Sequence, residues 1–255
     1  MDPNQTNLSL TENELSQRAG HDNGNRVPAI LFIIGLILYL CLFTGCANTT
    51  VAKTASWEVV NGPDYQVHNV HKLAPKLPDG LRRVAILPLS TEPSDTDMVT
   101  ARETLEPVMQ SEFDRLNVFE VIRVTRDQMR QMTGQAEWSA SDKLPRNFLA
   151  TLKEETGCDG VIFPRLTRYR PYPPMALGWS LKLIDLTDGQ IWWAADEMFD
   201  LADPTVVNSA RRYQITHLKF AKANPLLEDS TVVLISPTRL AQFTTASLFA
   251  TLPER

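Results

Sequence analysis

The chain has 255 residues, with 25 Lys and Arg against 30 Asp and Glu for a net charge of −5, and 43% of it is apolar. That share is enough for a packed core of ordinary size, while the weakly acidic balance argues against a nucleic-acid partner, whose phosphates demand a basic face. Three cysteines exclude a disulfide framework, because Cys41 lies in an apolar run, Cys46 ends it, and Cys158 is left alone.

Residues 1–26 form a polar tail in which Arg18 and Arg26 are outnumbered by Asp2, Glu12, Glu14 and Asp22. Residues 27–45 carry no charge, and Arg26 stands directly before them. A basic flank, an apolar core and small residues ahead of the cut make a secretory signal. Here the small residues are Thr44 and Gly45. Nineteen residues at about 1.5 Å each also reach roughly 28 Å, the depth of a bilayer core. An uncleaved helix anchored in the inner membrane is therefore the alternative, with an orientation that rests on Arg26 alone.

The end of the run, Leu42-Phe43-Thr44-Gly45-Cys46, resembles the lipobox of bacterial lipoproteins, with Phe43 where a smaller aliphatic residue is usual. The resemblance implies a diacylglycerol on the Cys46 thiol, cleavage before Cys46 and acylation of the new amino group. Two or three acyl chains hold a protein on a membrane far more firmly than one. Ala47 stands where an aspartate would signal retention at the inner membrane. The implied location is thus the periplasmic face of the outer membrane.

Residues 46–80 contain no sustained apolar period and are broken by Gly62-Pro63, Pro75, Pro78 and Asp79-Gly80, as expected of a flexible tether. His68 and His71 fit one helix face, but no third ligand lies at a supporting spacing, so no metal is expected there. The folded part, 81–202, opens on Val84-Ala85-Ile86-Leu87, apolar without alternation. That predicts a strand covered on both faces, ended by Pro88. Ala101, Leu105, Val108, Met109, Phe113 and Leu116 recur at helical spacing, with a kink or a late start expected at Pro107. Residues 119–124 read as a second strand, and Thr125 caps a helix over 126–133 that Gly134 stops. Pro145 at a first turn, inward Phe148, Leu149 and Leu152, and a terminal Gly157 mark another helix. Cys158 is expected to be a buried, inert thiol ahead of a third strand from Gly160.

Leu177, Trp179, Leu181 and Leu183 alternate with Ser180 and Lys182, and Ile191, Trp193 and Ala195 alternate back after Thr187-Asp188-Gly189, a β-hairpin pattern. Strand alternation sends Trp192 and Trp193 to opposite faces. Residues 203–255 read as a helical extension. Asp203-Pro204 starts one helix, 231–235 offers a short edge strand, and Ser236-Pro237 starts the last helix with Leu240, Phe243 and Leu248 inward.

The fold class that follows is α+β: a small mixed sheet of about five strands ending in a hairpin, with helices mainly on one face and two C-terminal helices. Residues 83–90, 119–124, the Thr156-Gly157-Cys158-Asp159-Gly160-Val161 turn and the segment 181–192, with its Leu186-Thr187-Asp188-Gly189-Gln190-Ile191-Trp192, resemble a superfamily of bacterial periplasmic lipoproteins. It contains the curli-secretion channel subunit CsgG, the peptidoglycan-synthase activator LpoB and the TolB amino-terminal domain. The similarity spans roughly 82–200 and implies a binding or scaffold domain. A membrane-spanning hairpin would need strands of about 9–11 residues, and the proline-rich loop expected over 166–177 is too short for one.

No nucleophile elbow, phosphate loop, paired-cysteine zinc site or H-E-x-x-H motif occurs. No catalytic residue and no cofactor are expected, and His217 reads as a structural or surface imidazole. Arg165, Arg168 and Arg170, with Tyr169 and Tyr172 among the prolines that follow, form the candidate contact surface for an anionic partner. The expected function is a non-catalytic scaffold or regulator of an envelope assembly, held by lipid on Cys46 and bound to an envelope protein. A cell-wall-associated enzyme with an unrecognised carboxylate site and a homo-oligomeric, secretion-associated ring subunit are the alternatives.

Overall fold

Val84, Ala85, Ile86 and Leu87 are fully inaccessible to solvent in the computed structural model, which describes residues 62–92, 94–220 and 230–255. The acidic tail, the apolar run, Cys46 and the first part of the tether lie outside the described residues. Val84, Ala85 and Ile86 are buried by their place in strand β2 (Arg83–Ile86), which has a parallel neighbour on each side and helices over both faces; Leu87 follows it directly, its N–H donating to Ile162 O at 3.1 Å.

The elements run β1 (Val70–Lys72), β2, α1 (Thr96–Arg115), β3 (Glu120–Arg123), α2 (Arg126–Thr133), α3 (Phe148–Thr156), β4 (Gly160–Arg170), β5 (Ala176–Asp185), β6 (Ile191–Asp200), α4 (Pro204–Phe220), a 3-10 turn (Ser230–Leu234) and α5 (Pro237–Phe249). The six strands lie in the order β1-β6-β5-β4-β2-β3. β3, β2 and β4 are parallel, and β4, β5, β6 and β1 are antiparallel. The class is α+β with a mixed sheet, as the pattern predicts. The sixth strand comes from the expected tether: β1 pairs with β6, and Tyr65, Val67 and Val70 pack on the core.

The three long helices α1, α4 and α5 cover one face. They enclose Val84 and Ile86 of β2, Leu177, Trp179, Leu181 and Leu183 of β5, and Phe113, Phe243 and Phe249 of the helices. The short helices α2 and α3 lie on the other face, over Ala85, Leu87, Val161 and Phe163. Their cover stops at Phe163, so the rest of that face is open.

Local sequence signals account for most helix ends. Thr125 accepts from Gln128 N, and Gln128 Oε1 accepts from Thr125 N at 2.8 Å, a reciprocal cap that starts α2; Gly134 at φ 83° ends it. Asp203 Oδ1 accepts from Thr205 N at 2.8 Å at the head of α4. α1 continues through Pro107 and begins at Thr96, so no late start occurs. α3 begins only at Phe148; Pro145 makes the turn before it, accepting from Phe148 N at 3.0 Å.

Three further expectations are corrected. Residues 230–234 form a 3-10 turn that buries Val233 against α4 and α5, in place of an edge strand. The segment expected as a loop over 166–177 is strand up to Arg170 and again from Ala176. Trp192 and Trp193 do not diverge: the register slips between Leu183 and Ile184, leaving Trp192 as an extra residue on β6. Both indoles join the larger core, with Trp192 and Leu81 over Gly160.

Candidate functional site: the open face of the sheet

Partners across an antiparallel pair share a face, and on the open face they run in rows. Arg165 faces Ser180 and then Asp196; Arg168 faces Gly178 and then Met198; Arg170 faces Ala176 and then Asp200. Lys182 and Ala194 continue the surface towards His71 of β1. Met198 is 54% exposed, and Tyr172 at the adjoining turn is 77% exposed.

A slip in register makes this convergence. β4 shifts between Leu166 and Arg168, so Thr167 has no cross-strand partner. Leu166 before the slip and Tyr169 after it both face the large core. Alternation without the slip would have sent Arg168 inward and Tyr169 outward. The slip therefore brings Arg165, Arg168 and Arg170 to one face and separates Tyr169 from them. The candidate set is three arginines and the turn residue Tyr172, with Tyr169 on the opposite side. Burial, followed by the charges of Tyr172 and Asp97, pushes the Tyr169 phenol above its usual range.

The arginines differ in what holds them. Arg165 meets Glu92 at 3.4 Å, a long pair. Arg170 is clamped, with Nε donating to Pro174 O and Nη2 meeting Asp200 Oδ1 at 2.6 Å. Arg168 is exposed and makes no ion pair among the described residues, and neither does Lys182. Sequence reasoning singled out neither Lys182 nor Met198 as contact residues, although their outward positions follow from the alternation of the hairpin.

Other candidates have settled roles. Cys158 is buried, and burial pushes its thiol up against the pull of Thr156 and Arg83. His217 stacks on Tyr213 with ring centroids 3.8 Å apart, and its Nδ1 lies 2.9 Å from Tyr213 O. Among the described residues no three His, Cys, Asp or Glu side chains cluster to hold a metal, and no helix is long and apolar enough to cross a membrane.

No protein-family model and no curated protein matches the sequence. Several solved structures are similar in shape. The PelC dodecamer from Paraburkholderia phytofirmans is 13% identical, with a TM-score of 0.39, over 74% of this chain and 95% of that one. Lipoprotein GNA1162 from Neisseria meningitidis is 17% identical, with a TM-score of 0.37, over 53% of this chain and 99% of that one. The LpoB C-terminal domain from Salmonella enterica is 17% identical, with a TM-score of 0.32, over 47% of this chain and 85% of that one. At such scores and identities the likeness assigns this chain neither a family nor an activity.

Proposed function

We propose that this chain is a lipid-anchored protein of the bacterial envelope, held by Cys46 at the periplasmic face of the outer membrane, and that its folded part docks an acidic protein partner on the open sheet face. The observation that carries the anchor is the cysteine placed directly after Thr44-Gly45 at the end of nineteen uncharged residues. Sixteen peptide units separate Cys46 from Gly62. At about 3.5 Å per unit this length of chain extends to at most about 56 Å.

The docking role is supported by charge and exposure together. Arg168 and Lys182 present cations without an ion pair among the described residues, on the face that exposes Met198 and near exposed Tyr172, and rim charges of this kind steer association and fix register. Scaffolding of an envelope assembly, without catalysis, is the role that suits such a surface. The test is cross-linking in intact envelopes with the native chain and with the double variant Arg168→Glu, Lys182→Glu. Loss of one specific cross-linked acidic partner, with the fold intact, is the expected result. Equal recovery of every partner from both forms contradicts the docking role. Native mass measurement of the detergent-extracted chain distinguishes a foreign partner from a ring of identical copies.

A further inference from the structure

A crevice of about 520 Å³ opens beyond the carboxyl ends of the parallel strands β2 and β3. It is lined by residues 90–92 after β2, by Val99 and Arg102 of α1, by residues 135–137, Ser139 and Asp142 between α2 and α3, and by Arg165 of β4. Open sheets with parallel strands offer their ligand crevices at this end, where loops diverge and backbone groups are free. The volume lies within the range of small-molecule sites.

The lining selects among ligands. Only Val99 and Ala136 are apolar, so a lipid or another greasy molecule gains nothing there. Among the described residues no aromatic ring lines the walls, and with it goes the flat platform on which a sugar stacks. Charges of both signs remain: Arg102 and Arg165 against Glu92, Glu137 and Asp142. That mixture repels a polyanion as it does a polycation.

The pairs within the crevice are incompletely used. Arg102 is bound by Glu137, yet its buried Nε has no hydrogen-bond partner among the described residues. At the mouth, Arg165 and Glu92 are 3.4 Å apart, and the Glu92 side chain is 55% exposed. Glu137 also meets Arg126 at 3.5 Å, and Arg126 in turn holds the buried Glu106, which anchors Glu137 from behind. A ligand carboxylate finds a guanidinium donor on either side, and a ligand ammonium finds Glu92 and Asp142.

We propose that this crevice binds a small zwitterion, a free amino acid or the unblocked end of a short peptide, with its carboxylate between Arg102 and Arg165 and its ammonium against Glu92 and Asp142. Binding displaces the loose Glu92 contact from Arg165, which also belongs to the open sheet face. The site does not depend on the lipid anchor or on the docked partner.

Calorimetric titration of the detergent-extracted full chain tests this with a panel of free amino acids and dialanine, each at up to about 10 mM. Acetylated and amidated dialanine and glucose serve as comparison ligands. The expected result is saturable binding of at least one zwitterion, weakened about tenfold by blocking either end, as loss of one charged hydrogen bond implies. Glu92→Gln, at the exposed mouth, weakens binding about tenfold without disturbing the fold, and Arg102→Gln abolishes it. No binding across the panel overturns the proposal, as does equal binding of the blocked forms, preference for glucose, or an affinity unchanged in Glu92→Gln.

Discussion

Gly178 lies against the bulge of β4 so closely that a Cβ there would stand 2.9 Å from Arg168 Cβ and 3.1 Å from Arg168 N. The glycine and the slip that turns Arg168 outward therefore depend on each other. Thr167 Oγ1, 2.6 Å from the same point, can rotate away, but the backbone nitrogen cannot without breaking the pairing. Gly178→Ala is expected to lower stability by about 1–3 kcal/mol, the usual cost of an overpacked site. Thermal unfolding measures it, and an unchanged midpoint would show that the bulge yields freely.

Two of the core indoles fasten the sheet to α5 and to the turn that follows it. Trp179 Nε1 donates to Thr244 Oγ1 at 2.9 Å in a fully buried pair, and Trp193 Nε1 donates to Thr251 Oγ1 at 3.1 Å where the threonine is half-buried. Thr244→Val keeps the shape and leaves a buried donor unsatisfied, at a cost of about 1–3 kcal/mol. Thr251→Val is expected to cost less, because water reaches that threonine. Denaturant midpoints of the two variants, compared with the native chain, check the order.

Cys158 should not react with thiol reagents while the domain is folded. Its side chain is 1% exposed and burial holds the thiol above its ordinary range, so the thiolate is scarce as well as sheltered. Timed labelling at neutral pH, with and without denaturant, reads this. Modification at the rate of a free thiol in the native state contradicts it.

Acid should loosen the joint between β2 and β4. Burial raises the Asp159 carboxyl, but the Arg83 and Arg82 backbone N–H groups, with the charge of Lys153, outweigh burial and bring it below the usual carboxylate range. A lowered folded value means that the stabilisation is fully present above the unfolded value near 4 and is lost as pH falls through the folded one. The native chain is therefore expected to lose more stability on acidification below about pH 4 than Asp159→Asn, which has no charge to neutralise. Parallel slopes for the two proteins contradict the linkage.

What was legible in the sequence was local. Thr125 as a cap, Gly134, Asp203-Pro204 and the alternation of Leu177 to Leu183 each act within a few residues, and each appears as read; the Gln128 half of the cap on α2 was not read. The bulges at Thr167 and Trp192 were not legible, because a one-residue slip leaves no mark in composition and reverses every side chain after it. That reversal joined the three arginines, expelled Tyr169 from their company and put both indoles on one side. The β-branched run at 231–233 suggested a strand, and packing of Val233 against α4 and α5 overrode it. The burial of Glu106 was equally hidden, since its partner Arg126 lies 20 residues away.

Placement at the envelope depends on Cys46 being a lipid-bearing first residue. Intact-mass analysis of the protein purified from membranes, beside a Cys46→Ser variant, measures this directly. A chain beginning at Cys46 and carrying a diacylglyceryl group and a further acyl chain is the predicted result, with the variant uncleaved and unacylated. A native protein that keeps residues 1–45, or an unmodified Cys46, contradicts it.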